Sequence, residues 1–171
     1  MLDALTALVV GWLCAVAQGA FFFGLETLWS ATFITYFAVV LLWLIGSWLG
    51  LRLPDRTPEW PLALLTALGP MTTYLLLRTV PFDGRWWPVY ALLIVGASLY
   101  AGFFFKRRRA RFRGVQWLFL WESLGFVLGL VVALFGMVFR GITFVVWGPG
   151  IAALALVSCL ALDRLVHRGN R

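Results

Sequence analysis

Long, nearly uncharged apolar runs follow one another along this sequence, and their length limits what the chain can fold into. Between Asp3 and Arg52 the only formal charge is Glu26. Because the hydrocarbon core of a bilayer is about 30 Å thick and an α-helix rises about 1.5 Å per residue, one span needs about 20 apolar residues. A transmembrane β-strand would instead alternate apolar and polar residues over about ten positions. The pattern therefore predicts an all-α integral membrane protein.

Polar breaks divide the apolar sequence into six predicted spans. Of the 171 residues, 63% are hydrophobic and 12% are charged, which excludes a soluble domain with a charged exterior. The first run is too long for a cleaved signal peptide, so we expect it to remain as a helix. We expect a single transmembrane domain over residues 1–171, a helix bundle with spans at about 5–28, 31–51, 60–77, 87–105, 115–139 and 142–162.

Positive charge is distributed unequally between the two faces of this six-span layout. Only Arg78, Arg85 and Arg140 fall on one face, whereas the other 11 of the 14 Lys and Arg residues fall on the opposite face. Positive residues close to spans are retained in the cytoplasm. The charge bias therefore predicts that the N-terminus and the C-terminus are both cytoplasmic.

The densest charge cluster lies between the fourth and fifth predicted spans. We expect it to anchor the cytoplasmic side by contacting anionic lipid headgroups, each charge contributing about 1 kcal/mol. Docking of an acidic soluble partner is the alternative, and it would depend strongly on salt. A nucleic-acid partner is not expected. Most of the net charge of +7 comes from one loop and the tail, which is typical of the cytoplasmic face of a membrane protein. The cluster consists of Lys106, Arg107, Arg108, Arg109, Arg111 and Arg113.

Two carboxylates lie within the apolar runs, where an ionisable group costs several kcal/mol unless it is paired, protonated or hydrated. At helical spacing Glu122 shares a face with small residues, and Glu26 shares a face with Gln18, so both should face protein. In one interpretation Glu122 is protonated or pairs with the basic loop, and Glu26 bonds locally near the outer surface. In the other interpretation, Glu26 and Glu122 are binding sites for protons or for an organic cation.

Small residues at helical spacing mark candidate packing faces. Gly46 with Gly50, and Gly125 with Gly129, form two GxxxG spacings, and Ala133 continues the second stripe. Such spacings allow two helix backbones to approach closely. We expect these residues to pack either within the chain or against another subunit.

Two glycine–proline pairs interrupt the third and sixth predicted spans. Gly69-Pro70 and Gly148-Pro149 are candidate helix breaks, and paired breaks can mark the central site of a transporter. Proline and glycine are nevertheless common in membrane helices, and the two halves of the chain show no residue-by-residue similarity. Simple kinks are the favoured interpretation.

Residues for a metal, cofactor or catalytic site are not expected. The only histidine, His167, lies in the polar tail, and Cys14 and Cys159 are isolated within apolar runs. No phosphate-binding loop and no nucleophile with a base can be assembled. The sequence predicts neither a cofactor nor an enzyme, and a lipid-modifying enzyme is the least favoured function.

Several glycine-containing motifs occur along the chain, in residues 19–26 with Trp29, residues 46–53 with Asp55-Arg56, residues 96–99 and residues 124–129. They resemble the membrane domain that is fused to spermidine-synthase-like proteins in many bacteria. The resemblance implies a multi-pass membrane fold and a bacterial inner membrane. The soluble aminopropyltransferase domain of that family is missing, so no synthase activity is implied. Ser30 and Ala31 also stand where relatives often carry an arginine after the Glu and Trp of the first span.

Two functional hypotheses follow from these features. The first is a non-catalytic accessory or scaffold subunit of a larger membrane complex, because nearly the whole chain is packing surface. Its partners would be other membrane subunits, whereas a second copy of the chain fits the second hypothesis, since six short spans would need to dimerise for transport. The second is a small transporter or channel component for protons or, as the resemblance implies, polyamine-like cations, built from Glu26, Glu122 and the two glycine–proline pairs.

Overall fold

Six α-helices make up most of the described part of the chain. The computed structural model describes residues 1–28 and 33–168. No β-strand occurs among these residues, so the prediction of an all-α fold is confirmed. The helices are α1 (Leu2–Leu28), α2 (Phe33–Arg52), α3 (Glu59–Thr79), α4 (Trp87–Arg108), α5 (Val115–Arg140) and α6 (Phe144–Arg168), with 3-10 turns at Gly84–Trp86, Arg109–Arg111 and Gly141–Thr143.

Five segments within the described residues are long and apolar enough to cross a membrane. The last of them, Val115–Asp163, has 49 residues and contains both α5 and α6. Gly141 separates these two helices with a φ of 58°, in the left-handed region that favours glycine. Thr143 then donates a hydrogen bond of 2.7 Å from its hydroxyl to the Arg140 carbonyl. The chain therefore turns between two helices of 26 and 25 residues.

Most helix bounds agree with the predicted spans to within two residues, and the larger differences lie at the basic end of the bundle. Helix α4 continues three residues beyond the predicted limit of 105, to Arg108, and α6 continues through Asp163. Both extensions carry charged residues into the bundle, where Arg108 of α4 contacts Asp163 of α6. Residues 31 and 32 of the second predicted span, with Trp29, Ser30 and Ala31 of the family resemblance, lie outside the described residues.

Helix α1 is the centre of the bundle. It contacts α3, α5 and α6, and residues such as Ala7, Leu13 and Phe21 on it are fully buried. Helix α4 forms a second centre, because it packs against both α2 and α3. Helices α2 and α5 each pack mainly on one neighbour, α4 and α1 respectively. Their remaining faces are apolar and exposed, as lipid-facing surfaces are.

The predicted GxxxG residues pack within the chain. A Cβ atom added to Gly125 would overlap the carbonyl oxygen of Leu8 on α1, and one on Gly129 would lie 2.7 Å from the Trp12 carbonyl oxygen. Gly46 and Gly50 are equally close to α4, where an added Cβ would overlap backbone carbonyl oxygens. Ala133 is also buried, at 2% exposure. Glycines thus allow backbone contact in two helix pairs, α1 with α5 and α2 with α4.

Neither glycine–proline pair unwinds its helix. Helix α3 is continuous through Gly69 and Pro70, and α6 through Gly148 and Pro149; all four residues are buried. An added Cβ on Gly69 would lie 3.0 Å from the Phe21 ring, so this pair provides a close contact between helices. Unwound backbone of the kind that binds substrates in transporters is therefore not found at these four positions.

Substitution of Gly125 tests the close α1–α5 contact. Gly125→Ala should lower the free energy of unfolding by about 1–3 kcal/mol, because the methyl group forces α5 away from α1. Gly150→Ala is the matched control, since a Cβ at Gly150 in α6 meets nothing within 4 Å. Both can be measured by denaturant titration in mixed micelles. Equal stability of the two variants would contradict the described contact.

Candidate functional site

A buried guanidinium at the end of α4 is the most strongly charged feature inside the bundle. The Arg108 side chain is 4% exposed and faces three carboxylates from three other helices. Its Nη1 lies 2.9 Å from Asp163 on α6 and 3.3 Å from Asp3 on α1, and its Nη2 lies 3.5 Å from Glu59 on α3. One cation therefore joins the ends of four helices.

Arg111 and Tyr100 complete this arrangement. Arg111 Nη1 lies 2.9 Å from Asp163 and 3.4 Å from Asp3. The Tyr100 hydroxyl donates a hydrogen bond of 3.2 Å to Glu59 Oε1. Three carboxylates are thus opposed by two guanidinium groups, which offsets the cost of removing the charges from water. We call this set the Arg108 cluster: Asp3, Glu59, Tyr100, Arg108, Arg111 and Asp163.

The basic loop does not act as one surface, which corrects the prediction for Arg108. The Arg108 side chain is buried among carboxylates, so it does not contact lipid headgroups. Lys106 Nζ lies 2.7 Å from the Leu53 carbonyl oxygen and 3.0 Å from Asp55, and Arg107 donates to the Thr57 carbonyl. These bonds hold the α2–α3 connection against α4. Of the six predicted headgroup contacts, the exposed side chains are Arg107, Arg109, Arg111 and Arg113.

Sequence reasoning missed the Arg108 cluster, although helical spacing carried a signal for it. Tyr100, Phe104 and Arg108 recur every four residues, and both aromatic side chains are fully buried. A residue one turn further along that face points the same way. Asp3, Glu59 and Asp163 also follow or precede apolar runs on the predicted cytoplasmic face. What the spacing could not show is which helix ends meet.

Glu122 and Gln18 line one groove between α2 and α5, with α1 as its floor. Two adjoining cavities, of about 570 and 430 Å³, form this groove and share Gln18, Val40 and Phe126. Glu122 lies in the larger cavity with Cys14 and Ser47. The groove exists because α2 and α5 pack on different neighbours. None of its lining residues is basic, and we call it the α2–α5 groove.

Glu122 makes no ion pair with the basic loop among the described residues, so of the two alternatives in the first interpretation, protonation or pairing with that loop, the pairing is not found. The nearest basic residue along α2, Arg52, instead places its guanidinium 3.8 Å from the centre of the Trp48 ring. Glu122 is half-buried in the groove wall, and its backbone abuts Gly11. A carboxylate in such surroundings can accept hydrogen bonds or oppose a positive charge.

Glu26 lies far from Glu122 and lines neither cavity, although Phe22 and Phe23, one turn before it on α1, line the smaller one. Gly11 and Glu26 are 15 residues apart on the same helix, a rise of about 22 Å. Glu26 is half-buried, near the end of α1 that is remote from the Arg108 cluster. The two predicted carboxylates are thus separate, whereas the predicted Gln18 is joined to Glu122 in one groove. Among the described residues, no group of three or more His, Cys, Asp or Glu could hold a metal ion.

In comparisons with known proteins, no family model matches the chain, and no curated protein or solved structure is similar to it. The resemblance to the spermidine-synthase-like membrane domain therefore stays a prediction.

Proposed function

We propose that this chain is a non-catalytic accessory subunit of a larger membrane assembly, crossing a bacterial inner membrane six times with both termini in the cytoplasm. The observation that carries this proposal is the location of the polar side chains. The Arg108 cluster ties helix ends together, and most of the remaining described surface is apolar helix. The family resemblance supports the bacterial location.

The six-span topology is supported by where the helix ends lie. Asp3 on α1 and Asp163 on α6 both contact Arg108, so the first and last helices end at the same end of the bundle. Arg78 and Arg140 lie at the opposite ends of α3 and α5. The sequence bias in Lys and Arg thus corresponds to two ends of one helical bundle, and the richer end is expected in the cytoplasm.

Cysteine labelling tests this orientation. Gly84 precedes α4 and Ala110 follows it, and both are exposed, whereas the native Cys14 and Cys159 are buried. A membrane-impermeant maleimide added to spheroplasts should label Gly84→Cys at once. It should label Ala110→Cys only after the membrane is permeabilised. The reverse pattern would overturn the proposed orientation.

The accessory role is supported by the two peripheral helices. The α5 face turned away from α1 carries Val127, Leu128 and Val131, each close to half exposed. The exposed face of α2 is similarly apolar and carries Phe37, Leu41 and Leu44. Helices of partner subunits can pack on such faces without any chemistry by this chain. Arg109 and Arg113 remain available to anionic headgroups at the basic end.

Purification in a mild detergent from the native membrane tests the accessory role. We expect a companion membrane protein at fixed stoichiometry, and a photo-crosslinking residue at Val127 should join it covalently. The same residue at the fully buried Leu13 should give no adduct and serves as the matched control. Isolation as a lone monomer or homodimer, without an adduct at Val127, would contradict this function.

A second candidate function is movement of a cation across the membrane. It is favoured by one observation, the presence of Glu122 and Gln18 in the α2–α5 groove. The continuous α3 and α6 do not favour it, because neither offers unwound backbone at its proline. Binding of a cation in the groove does not itself require transport.

A further inference from the structure

We propose that the α2–α5 groove binds a lipophilic organic cation that carries a single positive charge, such as a protonated amine with an apolar body. Its charged nitrogen would lie beside Glu122, and its apolar body between α2 and α5. The inference goes beyond the accessory role, and it concerns binding at the Glu122 site whether or not transport occurs there.

Charge complementarity identifies the charged part of the occupant. Glu122 is the only charged residue among those lining the groove, and no described basic side chain pairs with it. An unpaired carboxylate among apolar side chains is costly. A cation in the groove would supply the missing partner, and the Gln18 side-chain oxygen could accept a second hydrogen bond from an N–H group.

The aromatic side chains around Glu122 favour an organic cation over a metal ion. Trp43 on α2, Phe105 on α4, and Phe119 and Phe126 on α5 line the same cavity, in addition to Trp48, whose ring already contacts the Arg52 guanidinium. Aromatic faces attract alkylammonium groups and tolerate their apolar substituents. A metal ion would instead need several oxygen ligands, and the described lining of the larger cavity, which contains Glu122, offers one carboxylate, one amide and one hydroxyl.

The remainder of the groove defines the size and polarity of the ligand. The adjoining cavity of about 430 Å³ is lined mainly by apolar side chains, including Phe22, Leu130 and Leu134. Leu44, Trp48 and Phe119 on the rim are about half exposed, so the groove opens sideways toward the lipid. A polyamine, with several charges and a short apolar body, does not match one carboxylate in such a groove.

Equilibrium binding of radiolabelled dodecylammonium to the full chain in phosphatidylcholine nanodiscs tests this proposal, with empty nanodiscs as background. We expect one saturable site. Glu122→Gln should weaken the affinity about tenfold, because a hydrogen-bonded or paired charge is lost. Glu26→Gln is the matched control and should bind as the unaltered chain does. Nanodiscs enclose no compartment, so the result does not depend on transport.

Two further measurements keep the proposal open to refutation if Glu122→Gln folds poorly. Val40→Trp fills the groove from α2 and leaves Glu122 in place, so it should also reduce binding. Dodecanol and spermidine should compete poorly, since one lacks the charge and the other the apolar body. Unsaturable binding, unchanged affinity in both Glu122→Gln and Val40→Trp, or equal competition by dodecanol, as expected for a lipid-chain groove, would overturn the proposal.

Discussion

The ion pairs of Arg108 fix how the ends of the helices meet, and much of the remaining arrangement depends on them. Removing the Arg108 guanidinium and the Glu59 and Asp163 carboxylates from water costs several kcal/mol per ion, whereas Asp3 keeps 35% of its side chain exposed. The cost is offset only if every partner is in place, and here the partners come from α1, α3 and α6. Burial of this kind adds little net stability but penalises any arrangement that separates the charges. The cluster is therefore best understood as a determinant of helix register.

The glycine contacts bring helix backbones together along their length, whereas the ion pairs join the ends of the helices. In lipid, helix association relies on close packing rather than on the hydrophobic effect, and Gly11, Gly125 and Gly129 bring α1 and α5 into backbone contact. Gly46 and Gly50 do the same for α2 and α4. Because the two pairs form separately, α2 and α5 are left on either side of α1. The groove that holds Glu122 is a consequence of this pairing.

Much of the fold follows from local features of the sequence. The lengths of the apolar runs predict the helices, and the glycine spacings predict the faces that pack closely. The asymmetry in basic residues correctly separates Arg78, Arg85 and Arg140 from the end that carries the basic loop. Each of these signals lies within one span or one loop.

The rest could not be predicted because it depends on which helices become neighbours. Arg108 and Arg109 are adjacent in sequence and equally basic, yet one is buried and the other exposed. Three carboxylates from distant parts of the chain decide that difference. The grouping of Gln18 with Glu122, rather than Glu26 with Glu122, likewise depends on the α1–α5 contact. Helical periodicity gives the face of each residue but not the helix opposite.

A double-mutant cycle on Arg108 and Asp163 tests the role of the buried ion pairs most directly. The free energy of unfolding would be measured in mixed micelles for Arg108→Gln, Asp163→Asn and both together. We predict a coupling energy of about 0.5–3 kcal/mol for this pair. The exposed Arg109→Gln, combined with Asp163→Asn, should be additive and provides the control. Additive effects of Arg108→Gln and Asp163→Asn would contradict the central position of the Arg108 cluster.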